Sequence, residues 1–411
     1  MGSIRSFARA HIHGIDGLRA LAAFAVVAHH VGFDTGTTTH SRFGIILEQL
    51  DIGVAVFFVL SGFLLGAPFV QRILSDRPID GIGRFWLRRA VRIYPAYWLV
   101  LTFMVLFLGT SIASLYQFVA YYGLLQIYDA DLFFGGMVQA WTLCTELAFY
   151  AVLPLLAISA NFAVRRLTRL RADTALLVGC AALYLASTAW RLAMYGFHPS
   201  FGRVALMWLP GQLDLFALGL GLAVLRARTD RDERFNQRVR AFVRSPALWW
   251  AAAIAVFAFT CIAGLRRPIV PADTPFSFGD GTEFWRQIAF GLFSVLLIAP
   301  IALRRRPDRL TSATLGSRPM VMLGVVSYGV YLWHKSLIPK VQEWFGWGFF
   351  QGNFLVVFLA VSLLSTALAW LTHRWIESPS LRLTDGGGIR SKVPERETAI
   401  PPDSDPGPSK D

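Results

Sequence analysis

Three ionisable side chains, His30, Glu146 and His334, each stand inside a long apolar stretch of this sequence. Charge at such depth is costly in hydrocarbon, and residues that carry it there usually serve a function. His30 follows Arg19 by eleven residues, about 16 Å along a helix at 1.5 Å per residue, so an arginine and a histidine mark the two ends of one span. An imidazole titrates near neutrality and suits removal of a proton from a hydroxyl. His30 and Asp34 are four apart and share a helix face, which would let the carboxylate orient the ring and stabilise its protonated form. His29 is the competing base, and His30 is preferred. Glu146 has Tyr150 one turn further along the same face. Ser327, Tyr331 and His334 recur at helical spacing and face one way. The first, fourth and ninth spans are therefore expected to bring His30, Glu146 and His334 to similar depth in one buried polar site.

A second chemistry lies in the run from Arg84 through Trp86, Arg88, Arg89, Arg92 and Tyr94 to Tyr97. Arg89 and Arg92 share a helix face, and paired guanidinium groups grip phosphate bidentately. Trp86, Tyr94 and Tyr97 abut them as an expected aromatic wall for a nucleotide. Pro95 fits the first turn of a span that starts at the arginines. The plainer role for such arginines is to anchor the chain at the membrane surface, and Arg88 is assigned to it. Ser61-Gly62 falls near the middle of the second span, where small residues admit either a neighbouring helix or a ligand. Arg191, Arg203, Gln212 and Asp214 are read as a structural Arg–Asp pair with its surroundings. Arg374 and Glu377, three apart, are expected to pair before Pro379 stops the last helix.

The elements that must position these groups are membrane helices. The chain has 411 residues, 55% of them hydrophobic and 16% charged, with a mean hydropathy of +0.50. That composition excludes an ordinary soluble domain and predicts an all-α polytopic membrane protein. Runs of helical length cover roughly 16–34, 50–70, 93–113, 138–160, 174–193, 207–225, 247–265, 285–303, 320–342 and 352–376, which gives about ten transmembrane helices. The net charge of +13 is concentrated in short segments between alternate spans. This positive-inside pattern places both termini in the cytoplasm and removes the case for nucleic-acid binding. Cys144, Cys180 and Cys261 lie inside apolar runs without metal-ligand spacing, so neither a disulfide framework nor a metal is expected. The first apolar run lacks a small-residue cleavage site and is kept as a span. Residues 1–383 read as one integral-membrane domain. Residues 384–411, rich in Gly, Pro and charge, read as a disordered cytoplasmic tail.

Taken together, these pieces resemble the membrane acyltransferase family 3, whose members O-acylate sugars and other acceptors. The resemblance rests on Asp16-Gly17-Leu18-Arg19 with His30 beyond it, the Phe57–Leu65 run around Ser61-Gly62, Arg89 and Arg92, Trp141 through Glu146 to Tyr150, Ser327-Tyr328 to His334, and Glu377 with Pro379. It spans about residues 12–382. It implies ten spans, a cytoplasmic acyl-CoA donor such as acetyl-CoA, and a catalytic histidine at His30. It also implies that Arg89 and Arg92 meet the CoA phosphates, and Arg19, Trp86, Tyr94 and Tyr97 are assigned to the same cofactor site. Some members carry a fused extracytoplasmic hydrolase-like domain, which is not read here, and the doubled histidine departs from the usual single one. On this reading His30, oriented by Asp34 or Glu146, activates an acceptor hydroxyl, or is itself acylated. Ser61, Tyr150 or Tyr331 stabilises the oxyanion.

The expected acceptor is a hydroxyl of a cell-surface glycan, glycolipid or other sugar at the plasma membrane. A small secreted metabolite such as a macrolide sugar is the alternative. A proton-coupled transporter would also use intramembrane His and Glu. It predicts internal repeats and broken helices, which the sequence does not show, and leaves Arg89 and Arg92 without a role.

Overall fold

The computed structural model describes residues 12, 14–166, 170–197, 202–265 and 282–384. The Arg203 side chain and, beyond its first residue, the expected C-terminal tail lie outside the described residues. Among those residues the fold is all helical, without a strand. Ten long helices form its frame: α1 Ile15–Asp34, α2 Ile52–Leu74, α3 Ile82–Phe107, α4 Trp141–Arg166, α5 Ala172–Phe197, α6 Leu209–Arg231, α7 Pro246–Ile262, α8 Thr282–Ala302, α9 Arg318–Trp344 and α10 Phe354–Thr372.

Eight helical runs, those containing α2–α6 and α8–α10, are long and apolar enough to cross a membrane. A ninth arises if α7 is joined to Glu233–Phe242, from which it is bent by 58°. The first helix is not among them, because Asp16, Arg19, His29, His30 and Asp34 dilute its apolar run. Its neighbours shield it instead: Leu18, Ala23, Val27 and Val31 are fully buried. Large apolar side chains such as Leu106, Phe162, Leu185, Ile254 and Leu363 point outward from the perimeter helices. Only hydrocarbon makes such a surface favourable. The chain is a multi-pass membrane protein.

The third helix begins earlier than its apolar run. Gly81 adopts the left-handed conformation with φ of 70°, which frees the chain to turn, and the helix starts at Ile82. Arg84 through Arg92 therefore lie on α3 itself, and Pro95 sits inside the helix rather than in its first turn.

Packing is organised around two inner helices. One of them, α6, lies against α2 and α5, while α9 lies between α1 and α10; α1 also meets α2. Glycines permit the closest approaches. A Cβ on Gly62 would collide with the Phe216 carbonyl, and one on Gly219 with the Val59 carbonyl, so α2 and α6 touch backbone to backbone. Of the two openings that Ser61-Gly62 offered, Gly62 takes the helix contact and leaves Ser61 turned elsewhere.

Candidate active site

The polar groups fall into two cavities with a common wall. The larger, about 320 Å³, lies among α1, α2, α3, α4 and α9. Its polar lining includes Arg19, Arg89, Arg92, Ser61, Glu146 and Tyr150. Ser61 donates to Glu146 Oε1 at 2.5 Å, and Tyr150 lines the same cavity. Arg19 stands 3.9 Å from Asp16 and feels Glu146 and Arg92 as well. Three guanidinium groups against two carboxylates leave this chamber with surplus positive charge. Arg89 Nε is buried with no hydrogen-bond partner among the described residues. A buried donor in that condition is costly unless an anion meets it.

The smaller cavity, about 80 Å³, is bordered by α1, α2, α4, α6, α8 and α9. His29, His30, Asp51, Trp141, Arg286 and Gln287 are among its walls. Val54 and Tyr331 line both cavities and form the partition between them. The Tyr331 hydroxyl donates to the Gln139 carbonyl at 2.9 Å and lies 2.8 Å from Thr142 Oγ1.

The histidines are ordered by a chain of hydrogen bonds. His334, fully buried, has Nδ1 3.2 Å from the Val330 carbonyl. A carbonyl only accepts, so His334 Nδ1 carries the proton and, in the neutral ring, Nε2 is the acceptor. His30 Nδ1 lies 2.9 Å from that Nε2 and donates to it. The His30 proton is thereby fixed on Nδ1, and Nε2 keeps its lone pair. A ring so arranged is a base or nucleophile of fixed orientation. His29 is held differently, with Nδ1 3.2 Å from the Leu47 carbonyl on a separate short helix.

Several expectations need correction. Asp34 does not meet His30. Both its oxygens are taken by Lys335 Nζ at 2.6 Å. His30 and Asp34 do share a face, as their spacing requires, but that face meets consecutive residues of α9, and the ammonium outcompetes a neutral ring for the carboxylate. Glu146 does not join the two histidines either: Ser61 holds it in the other chamber, which it lines with Tyr150 and the arginines. The aromatic wall is absent. Tyr94 donates to the Gly123 carbonyl at 3.2 Å, Tyr97 to the Tyr121 carbonyl at 2.6 Å and Trp86 to the Tyr150 carbonyl at 3.0 Å. None of these three lines the cavity. Glu377 pairs with His373 at 3.1 Å rather than with Arg374. The Arg191–Asp214 pair does form, at 3.8 Å.

Asp51, Arg286, Gln287 and Lys335 escaped the sequence reading. Arg286 and Lys335 carried a signal, being charges in otherwise apolar helices. Gln287 carried none. Among the described residues no group of three or more His, Cys, Asp or Glu side chains is placed to hold a metal ion.

Comparison with known proteins adds a family. A family model described as an acyltransferase domain matches residues 12–374. The chain is similar to the peptidoglycan O-acetyltransferase OatA of Listeria monocytogenes, 25% identical over 390 residues that make up 91% of this chain and 56% of that protein. It is also similar to the O-acetyltransferase OatA of Staphylococcus aureus, 25% identical over 386 residues, 90% of this chain and 57% of that one. The chain thus spans little more than half the length of these relatives. No solved structure matches it.

Proposed function

Because the chain belongs to this acyltransferase family, we propose that it is a membrane O-acyltransferase carrying an acyl group, acetyl in the first instance, from acyl-CoA to a hydroxyl of a cell-envelope glycan. The Listeria relative is a peptidoglycan O-acetyltransferase, and a glycan of that kind is the acceptor proposed here. The single observation that supports the reading most is the partition: a chamber of surplus positive charge and a chamber holding a tautomer-fixed histidine share the walls Val54 and Tyr331.

Arg19, Arg89 and Arg92 fit the phosphates of CoA, since guanidinium forks suit phosphoryl oxygens. By the positive-inside rule their end of the bundle faces the cytoplasm of the plasma membrane. The thioester then reaches toward Tyr331. His30 Nε2 takes the proton of the acceptor hydroxyl, the oxygen attacks the thioester carbonyl, and the C–S bond breaks. The thiolate leaves with the proton passed back from His30. Attack by Nε2 itself, giving an acyl-imidazole that the hydroxyl then resolves, uses the same geometry. In either route His334 accepts from Nδ1 and holds the ring.

The test is release of free CoA thiol from acetyl-CoA by inside-out vesicles, wild type against His30→Ala. Release that disappears in the variant supports the reading. Equal release moves the base to His29 or His334. No release from wild type with envelope glycans present removes acetyl-CoA as the donor.

A further inference from the structure

The two chambers differ in how their charges are settled. Around the smaller one the charges of the described residues are matched within the protein. Arg286 donates through Nε to Gln49 Oε1 at 2.8 Å and forms an ion pair with Asp51. Gln49 itself, fully buried, donates to the Leu265 carbonyl at 2.7 Å. Asp214, 3% exposed, is compensated by Arg191, 5% exposed. Desolvated ion pairs of this kind leave no field to attract a further ion and penalise one that enters.

Gln287 is the polar group this arrangement presents. Its Nε2 is held by both oxygens of Asp214 at 3.1 Å and lies 3.4 Å from Gln212 Oε1. A carboxylate accepts only, so the amide cannot flip, and Oε1 is left as an oriented acceptor at the chamber wall. Across the same space stand the His30 ring and the Trp141 indole. An acceptor carbonyl, an imidazole lone pair and an aromatic face suit a neutral polyol: two hydroxyls to donate, and a C–H face to lie on the indole. The volume of about 80 Å³ is several times what a single water needs and admits the hydroxyl-bearing edge of a sugar.

We infer that the cavity beside His30 is the subsite for an uncharged hydroxyl acceptor, and that Gln287 binds it through Oε1 with Asp214 and Arg191 fixing the amide. This rests on the acyltransferase reading above. It assigns the substrates by charge, with the phosphorylated donor on the arginine side and the neutral acceptor on the paired side.

The experiment uses full-length protein in inside-out vesicles loaded with purified peptidoglycan glycan strands, with two readouts from each preparation. One is CoA release without glycan, and the other is radiolabelled acetyl transferred at varied glycan concentration. Gln287→Met, close in shape and lacking the acceptor, is expected to raise KM for the strands about tenfold, the cost of one or two neutral hydrogen bonds. KM for acetyl-CoA should stay as in wild type, because the donor arginines line the other chamber, and an unchanged elution profile certifies folding. Gln212→Leu, which touches the amide only at its edge, should move the glycan KM far less. An unchanged glycan KM in Gln287→Met overturns the subsite. So does a rise of like size in KM for acetyl-CoA in a variant that elutes as a folded monodisperse species, or CoA release by wild type with no acetyl on glycan. Equal CoA release by wild type and His30→Ala moves the base away from His30, and no release by wild type with glycan present removes the acetyl-CoA reading itself, an outcome distinct from a failed subsite.

Discussion

His30 Nδ1 and His334 Nε2 face each other at 2.9 Å, one imidazole donating to the other across α1 and α9. The pair does for His30 what a carboxylate does in hydrolytic triads, fixing tautomer and direction, but without placing a negative charge against the ring. A buried neutral partner stabilises the imidazolium less than a carboxylate would, so the lone pair of His30 remains available.

Removing His30 should therefore cost more than removing its support. His30→Ala is expected to lower kcat for CoA release about 10²–10⁴-fold, the range of a lost general base. His334→Ala should lower kcat by less and leave KM for acetyl-CoA unchanged. His334→Gln, which can accept through its amide oxygen, should recover part of the loss. Initial rates with a thiol reagent would read all three.

Arg89→Ala and Arg92→Ala should act on the donor alone. Each removes a charged hydrogen bond worth about 1.5–3 kcal/mol, so KM for acetyl-CoA should rise about ten- to a hundredfold. Arg88→Ala, whose side chain does not line the cavity, should leave it near wild type. Saturation curves for the three variants separate phosphate binding from surface anchoring.

Lys335→Met leaves the Asp34 carboxylate, 1% exposed, without its ammonium partner. Loss of one member of a buried pair typically costs about 3–5 kcal/mol, and a lower melting temperature in detergent is the expected outcome. Asp34→Asn with Lys335→Met should melt closer to wild type and still release CoA. Retained activity in the double variant would show that Asp34 is no part of the proton chemistry.

Gly62→Ala should be poorly tolerated, because the added methyl meets the Phe216 carbonyl of the adjoining helix. Overpacking typically costs about 1–3 kcal/mol. Ser61→Ala, one residue away, should fold normally and instead weaken the hold on Glu146. Thermal melts of the two neighbours should differ in that order.

The helices were legible because an apolar run of spanning length has one stable answer in lipid. The grouping of Arg19, Arg89 and Arg92 with Glu146 and Tyr150 was half legible. Each was marked as unusual for its depth, but the joining of Glu146 to the arginines rather than to the histidines depends on how α4 packs on α2 and α3. Spacing along one helix says which residues share a face and nothing about what that face meets. So Asp34 was rightly set on the side of His30, and its true partner, Lys335, is adjacent in sequence to the partner of His30. The early start of α3 was hidden because arginine is a good helix former that hydropathy reads as loop. Gln287 was invisible, since an uncharged amide near a helix start is unremarkable until Asp214 is seen behind it.

Val54 and Tyr331 give the wall between the chambers the thickness of a side chain. Such a septum bears on permeability as much as on chemistry. On the proposed reading, what passes it is a small uncharged fragment handed from one carrier to another, while both carriers stay in their own compartments. The coenzyme would be retained by the cell and the polymer would never enter it. An aliphatic branch and a phenol would be all that the bilayer lends to its continuity at that point.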